Sequence, residues 1–366
     1  MKRHALRGLV MLGLIALVTS VASAQTTTDT VEVRNRKDGT TKTFNGQFKV
    51  GPGGFQVFSG EKLEKASEAF APDDIVKVIM GNMPGVDANA FNGFKTKEDK
   101  KTTKDYTDAI AGYKDLTKKA TTDRGRRYLE YKVASVNQKI VDELDMEKGW
   151  KEKADEAISA WQGFIGNYTE AGKFGWEVWP AVRSVTRLQI ERGKYDDAAS
   201  AWGNLRKSVD LPADAKLEAG LQEVDLKIRS KSYATAATAA APAGELDKVA
   251  VGSRKERLAI YDLAAKAGTS GKLTEGVEAI KAAMEKTKDT AVHATGFAMM
   301  GELYLAAGKP RDAMWMFLWV ETVVNQDKDE VFKAISRLAE MFESQMMDEE
   351  QAKKYREKIK RFRGTF

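Results

Sequence analysis

Residues 301–320, GELYLAAGKPRDAMWMFLWV, set two tryptophans, two methionines, a phenylalanine and a leucine into the last eight positions. Such crowding fits a membrane segment, a ligand-binding strip, or the inside of a larger helical assembly. A helix rises 1.5 Å per residue, so the run from Ala313 to Val320 covers about 12 Å against a bilayer core of roughly 30 Å. A membrane span is therefore excluded. Repetition decides between the other two.

A small residue, a large one four positions on, and an apolar one three beyond that recur along the chain. The copies are Ala109/Tyr113/Leu116, Ala157/Trp161/Phe164, Ala198/Trp202/Leu205, Ala236/Ala240/Ala243, Gly276/Ile280/Ala283 and Ala313/Phe317/Val320, with a degenerate Ala352/Arg356/Ile359 at the end. Their small residues are spaced by 48, then by 41, 38, 40, 37 and 39. Tyr106, Tyr195 and Tyr233 each stand three before the small residue of their copy. Positions i, i+4 and i+7 share one helix face, so each copy offers a notch beside a knob. The notch admits a neighbouring helix and the knob fills the groove between neighbours. A fixed period of this size marks an array of helical hairpins. Gly193, Gly271 and Gly308 fall just before three of these helices, where a left-handed residue closes the preceding one. Pro310 falls where the next helix starts and its missing N–H is not needed.

Within this array, residues 294–327 resemble a tetratricopeptide repeat, whose signature joins W-x2-L-G-x2-Y to A-x3-F. Phe297, Met300, Gly301 and Tyr304 stand at the first spacing, Ala313 and Phe317 at the second, and Asn325 where a closing proline is usual. The copy around Ala198 keeps the second half but has Thr186 and Gln189 in place of the glycine and tyrosine, and the periods exceed the family's 34 residues. The resemblance covers 105–366 as an architecture and one unit as a motif. It implies an α-solenoid of about six tetratricopeptide-like hairpins that holds an extended peptide or protein partner along its concave groove.

Upstream the periodicity changes to β. Val31 and Val33 alternate, Asp38-Gly39 reads as a turn, Phe44 and Phe48 flank Asn45-Gly46, and Gly51 to Gly54 precede Phe55 and Val57. Ile75, Val76, Val78 and Ile79 close the region. Short strands between such turns predict a small β-barrel-like domain over 25–80, and the turn spacing resembles SH3-like barrels. The Gly-, Asn- and Lys-rich stretch 81–104 reads as a linker before the helical region 105–366.

The N-terminus has the form of a signal peptide over 1–24. Lys2, Arg3 and Arg7 precede an apolar run from Gly8 to Val18, and Ala22-Ser23-Ala24 offers a cleavage site before Gln25. The expectation is an exported protein, periplasmic or extracellular, in a bacterial-type envelope. There is no cysteine, so such a protein holds together without disulfides. Removing the three leader cations takes the 59 Lys and Arg to 56 against 53 Asp and Glu, a nearly balanced surface. That balance, with no aromatic-plus-basic strand motif, argues against nucleic acid. One basic run stands out, Lys353, Lys354, Arg356, Lys358, Lys360, Arg361 and Arg363, read as the polar face of a terminal helix or as a contact for an anionic surface.

Little here suggests catalysis. Beyond the leader the chain has one histidine, His293, read as a packing or helix-flanking residue. Without cysteine, thiol nucleophiles and Cys-based zinc sites are excluded, and no cofactor is implied. Asp and Glu are interspersed with Lys, as on solvated helix faces. The candidate partner-binding residues are aromatic: Trp176 and Trp179 in a glycine-punctuated segment, and Trp315 and Trp319 in the stretch quoted first. The residues thus favour a non-enzymatic interaction scaffold. A binder of cell wall or anionic membrane surface and a carboxylate-based hydrolase are the alternatives.

Overall fold

The computed structural model describes residues 28–35, 39–51, 54–60, 63–144 and 149–363. The signal peptide expected at 1–24 lies outside these, as do Asp38 of the first turn and Pro52 and Gly53 of the second.

Strands β1 (Asp29–Arg34), β2 (Thr41–Gly51), β3 (Gly54–Ser59), β4 (Lys65–Ala66) and β5 (Ile75–Ile79) form an antiparallel sheet in the order β4-β3-β2-β1-β5. Period-2 alternation puts Val31, Val33, Phe48, Phe55 and Val57 on the buried face. Asn45-Gly46 makes no turn. β2 runs straight through it, pairing Asn45 with Thr30 and Gly46 with Asp29, which keeps Phe44 and Phe48 on one face. The sheet also stays open where a barrel was expected. Closure requires the two edge strands to pair, and β4 has two residues. The segment leading into the helices covers the apolar face instead: the Phe48 ring lies 5.8 Å from that of Trp176. Buried Asp29 accepts from the backbone of Phe48 (2.8 Å) and Gly81 (2.9 Å) and pairs with Arg124.

The rest is helical: α1 (Ala88–Asp99), α2 (Thr103–Lys119), α3 (Asp123–Glu143), α4 (Trp150–Tyr168), α5 (Val178–Glu191), α6 (Tyr195–Arg206), α7 (Ala213–Arg229) and α8 (Tyr233–Ala240). After the short α9 (Glu245–Val249) come α10 (Gly252–Ser270), α11 (Leu273–Met284), α12 (Thr290–Ala306), α13 (Pro310–Thr322), α14 (Lys328–Ser344) and α15 (Glu349–Arg363). Side-chain caps fix several starts: Asp87, Thr102, Thr122, Asp289 and Asp327 each accept from a backbone N–H of the first turn.

The helical hairpins that the sequence implied are present. Among the described residues they number seven, α1/α2, α3/α4, α5/α6, α7/α8, α10/α11, α12/α13 and α14/α15, against about six expected. The additional one arises because 81–104, expected as a linker, contains α1. Its apolar side chains are sparse, but Phe91 and Phe94 pack on Tyr113 of α2. Every copy of the sequence repeat falls on the second helix of a hairpin, and its small residue is buried in each. Ala243 departs from the pattern, lying exposed beyond the end of α8, and in the last copy Tyr355 is buried where Arg356 is not. Gly193, Gly271 and Gly308 adopt φ of +67°, +71° and +68°, closing α5, α10 and α12. At Gly301 an added Cβ would sit 2.7 Å from the Phe317 ring, so the glycine sets the close crossing of α12 and α13.

An open solenoid unit touches only its neighbours. This array turns back on itself. Helix α14 packs against α5 and α15 against α3, bringing the last hairpin onto the second and third. The first helices of the hairpins line the interior, and α5, α7, α12 and α14 are buried around most of their circumference.

Candidate functional site

Interior closure determines what each candidate residue can reach. Trp176 and Trp179 are both buried, which removes the exposure a partner anchor requires. Trp176 packs among Phe48, Tyr128 and Tyr131 at the junction of sheet and helices. Trp179 donates its Nε1–H to Asp73 at 3.0 Å and stands edge-on to Trp202. The glycine-punctuated segment thus plugs a joint.

Along the inner axis a charge network takes the place of an open groove. Arg229 donates to Asp225 (2.8 Å), Glu302 (3.4 Å) and Glu330 (3.2 Å). Lys333 donates to Gln222 (2.8 Å), Asp225 (2.6 Å) and Glu330 (2.9 Å). Arg337 grips both oxygens of Glu302 and the carbonyl of Arg229. These groups are all buried, correcting the expectation that the acids lie on solvated faces. Burial alone pushes the Asp225 carboxyl up, but Arg229 and Lys333 outweigh it and hold the group below the usual carboxylate range. Part of the signal was present: Glu302 is a lone acid in AMMGELYL, whereas Asp225, Arg229, Lys333 and Arg337 stand among other charged residues.

Closure is latched at two places. Arg183 of α5 donates to Asp329 of α14 at 2.8 Å. Arg363, at the end of α15, inserts between α3 and α5, where its side chain and that of Glu191 are both 0% exposed. It binds both Glu191 oxygens, the carbonyls of Val141 and Leu144, and lies over the Trp150 ring. Much of the rest of the basic run is ion-paired at the surface. Lys354 pairs with Glu350, Arg356 with Glu343 and Glu349, Lys358 with Glu321, and Arg361 with Glu357.

A cavity of about 260 Å³ remains inside the latch, between α3, α5, α7, α14 and α15. Its two lining acids are both held by arginine, Asp142 by Arg187 at 3.0 Å and Asp329 by Arg183. Burial pushes the Asp329 carboxyl up, and Arg183 more than offsets it, so the group sits low. Among the described residues, no cluster of three or more His, Cys, Asp or Glu is arranged to hold a metal.

Trp315 and Trp319 behave differently, being 58% and 43% exposed. In the repeat register they stand two and six positions after Ala313. At 100° per residue this puts them about 200° and 240° around the helix from Ala313, opposite the buried stripe. The same two positions in the other copies hold Ala111/Asp115, Ser159/Gly163, Ser200/Asn204, Thr238/Pro242, Glu278/Ala282 and Lys354/Lys358, all of them exposed. Only the sixth copy carries large aromatic side chains there. Trp319 stacks on half-buried Phe297 at 5.3 Å and 13°, and exposed Val323 extends the strip by one turn. Neither indole belongs to the buried stripe of its helix.

No protein-family model matches the chain, and no curated protein matches it. Among solved structures it is similar to a tetratricopeptide repeat protein from Parabacteroides merdae, with 15% identity and a TM-score of 0.39, over 72% of this chain and 90% of that one. The likeness is loose, and the helical-hairpin fold stands on the helix pairs themselves.

Proposed function

We propose that the protein is an exported, non-enzymatic interaction scaffold that holds a protein partner on the outer face of its sixth hairpin. The carrying observation is the Trp315/Trp319 ridge: two exposed indoles at positions that every other copy fills with small or polar residues. Tryptophan offers a large, stiff apolar surface with a polar edge and is enriched where binding energy concentrates. The stack on Phe297 holds Trp319 in one orientation, which lowers the ordering cost of contact. The partner chemistry this favours is an apolar or aromatic side chain seated between the two rings.

The concave groove, the usual site for a peptide on such an array, is filled by the chain's own α14 and its ion pairs, which supports the outer face instead. Export rests on the leader pattern at 1–24. The non-enzymatic reading is supported by the arginine clamps on Asp142 and Asp329, the two acids that line the cavity. The anionic-surface alternative loses support because Arg363 is buried and most of its basic run is ion-paired.

A photo-crosslinking residue at Val323, with a control at the still more exposed Val209 between α6 and α7, tests the proposal in source cells. A discrete protein adduct at 323, absent at 209 and abolished by the Trp315→Ala/Trp319→Ala pair, is the expected result. Identical adducts at both sites, or an adduct indifferent to the tryptophans, would refute it.

A further inference from the structure

One end of the sheet has features that its own packing does not require. β5 lies beyond β1 as the last strand. Ile75 closes the preceding turn with its N–H on Pro72, and among the described residues no other backbone hydrogen bond joins β5 to anything but β1. The opposite end of the sheet is blunted by shortness, β4 having two residues. β5 has five, Ile75-Val76-Lys77-Val78-Ile79, of which four are apolar and β-branched, yet none is buried. Val76 is 48% and Ile79 39% exposed. The strand is anchored at both ends: Asp73, two before it, accepts from Trp179 at 3.0 Å, and Gly81, two after it, donates to Asp29 at 2.9 Å. Unpaired N–H and C=O groups held in extended form are a template for a further strand.

The side chains select the occupant. The five residues read the same in both directions, so a second copy could pair antiparallel about Lys77. The register that uses all five sets Lys77 directly against its own image, where like charges repel. The inner edge shows what the strand accepts: β1 places Glu32 opposite Lys77, Val31 opposite Val78 and Thr30 opposite Ile79. Side chains stand perpendicular to the sheet, so those of β5 meet a neighbour on the outer side as they meet β1 on the inner. Lys77 lies 3.6 Å from Glu32, beyond hydrogen-bond reach, and is 55% exposed. Its ammonium carries three donors, enough to serve a second carboxylate on the outer side.

We infer that β5 is a strand-addition site, whose outer edge takes an extended segment of a partner protein with a carboxylate opposite Lys77 and β-branched residues on either side of it. The site is separate from the tryptophan ridge of α13, and either proposal can fail alone.

A capped, fluorescently labelled peptide of the β1 sequence, DTVEVRN (residues 29–35), is the probe, read by anisotropy and by amide exchange of the full chain. The expected result is saturable binding that slows exchange in β5 without speeding it in β1, the mark of addition at the outer edge. A peptide with lysine in place of its glutamate should bind weaker by roughly threefold or more, because opposite charges across strands are favoured over like ones. In Lys77→Glu that preference should reverse. N-methylation of alternate peptide amides, which removes the donors of one edge, should abolish binding, and Trp315→Ala/Trp319→Ala should leave it unchanged. No saturable binding overturns the inference, as does equal binding of the N-methylated peptide or a charge preference that Lys77→Glu fails to reverse. Faster exchange in β1 would mean displacement of that strand, and loss of binding with the tryptophans would move the peptide to α13; each overturns it. Self-association of the free chain that the peptide competes away would give the edge to a second copy and overturn it too.

Discussion

Replacing Arg363 with alanine tests closure of the array most directly. Its guanidinium is fully buried against a fully buried carboxylate, Glu191, at 3.0 and 3.1 Å from Nε. It also satisfies the carbonyls of Val141 (3.4 Å) and Leu144 (3.3 Å) at the C-terminal end of α3, where a cation is favoured by the helix dipole. Alanine would leave a buried carboxylate with its arginine removed and two carbonyls short of a donor. Removing one partner of such a pair costs about 3–5 kcal/mol. With a urea slope of about 3 kcal/mol/M, the unfolding midpoint should fall by roughly 1 M or more.

The location of the damage is as informative as its size. In an open solenoid, injury to the last helix frays the last hairpin and leaves distant units intact. Here Arg363 contacts a residue 222 positions away, so amide exchange should accelerate at the ends of α3 and α5 as well as in α15. Removing both charges with Arg363→Met/Glu191→Leu, near-matched in volume, should recover most of the loss, because the uncompensated charge goes with its partner. A stability within about 0.5 kcal/mol of wild type, the range of ordinary surface substitutions, would refute the latch. So would exchange changes confined to α15.

Lys231 holds φ +63° at the end of α7, where Gly193 and Gly308 end α5 and α12, so Lys231→Gly should stabilise the fold by about 1 kcal/mol in denaturant titration. Gly301→Ala would push a methyl to within 2.7 Å of the Phe317 ring and should cost about 1–3 kcal/mol, measured the same way. Asp327, which caps α14, has its carboxyl pushed up to about 6 by burial and by Asp329 and Glu330. A folded-state value above the unfolded one gives stability that is present at low pH and lost as pH rises through about 6. Asp327→Asn keeps a capping oxygen, so it should match wild type near pH 4 and exceed it above pH 6 by on the order of 1 kcal/mol, read from midpoints across that range.

Much of the architecture was legible because a repeat writes the same packing constraint many times. Seven copies of one notch-and-knob face fixed the second helix of each hairpin, and the three turn glycines marked where its partner ends. The closure was not legible, because it depends on the angle between successive hairpins, to which each contributes a small rotation that no local pattern records. The same gap hid α1: its apolar content is low, and the contacts of Phe91 and Phe94 with Tyr113 are tertiary. In the sheet, Asn45-Gly46 has turn chemistry, but pairing of β2 with both β1 and β3 overrode it. The inner charges were misplaced for a related reason. Their sequence neighbours resemble a solvated helix, and only the return of α14 onto α5 and α7 takes them out of water.

That return also accounts for where an exposed aromatic site can exist on this molecule. In an open array the first helices of the hairpins present polar side chains to a groove, and a peptide completes their hydrogen bonds. Here α14 performs that part for α7 and α12, with Lys333 and Arg337 reaching Asp225 and Glu302 as a bound segment would. A groove occupied by its own chain has no selective reason to carry exposed aromatic anchors, whereas the outer face is free to diverge copy by copy. The register makes the distinction quantitative: Trp161 and Trp202 stand four after their small residue and are buried, while Trp315 and Trp319 stand two and six after theirs and are not. Tryptophan at the outer positions of one copy in seven is not required by the packing that the other six share, and that is the ground on which the proposed partner contact is placed there.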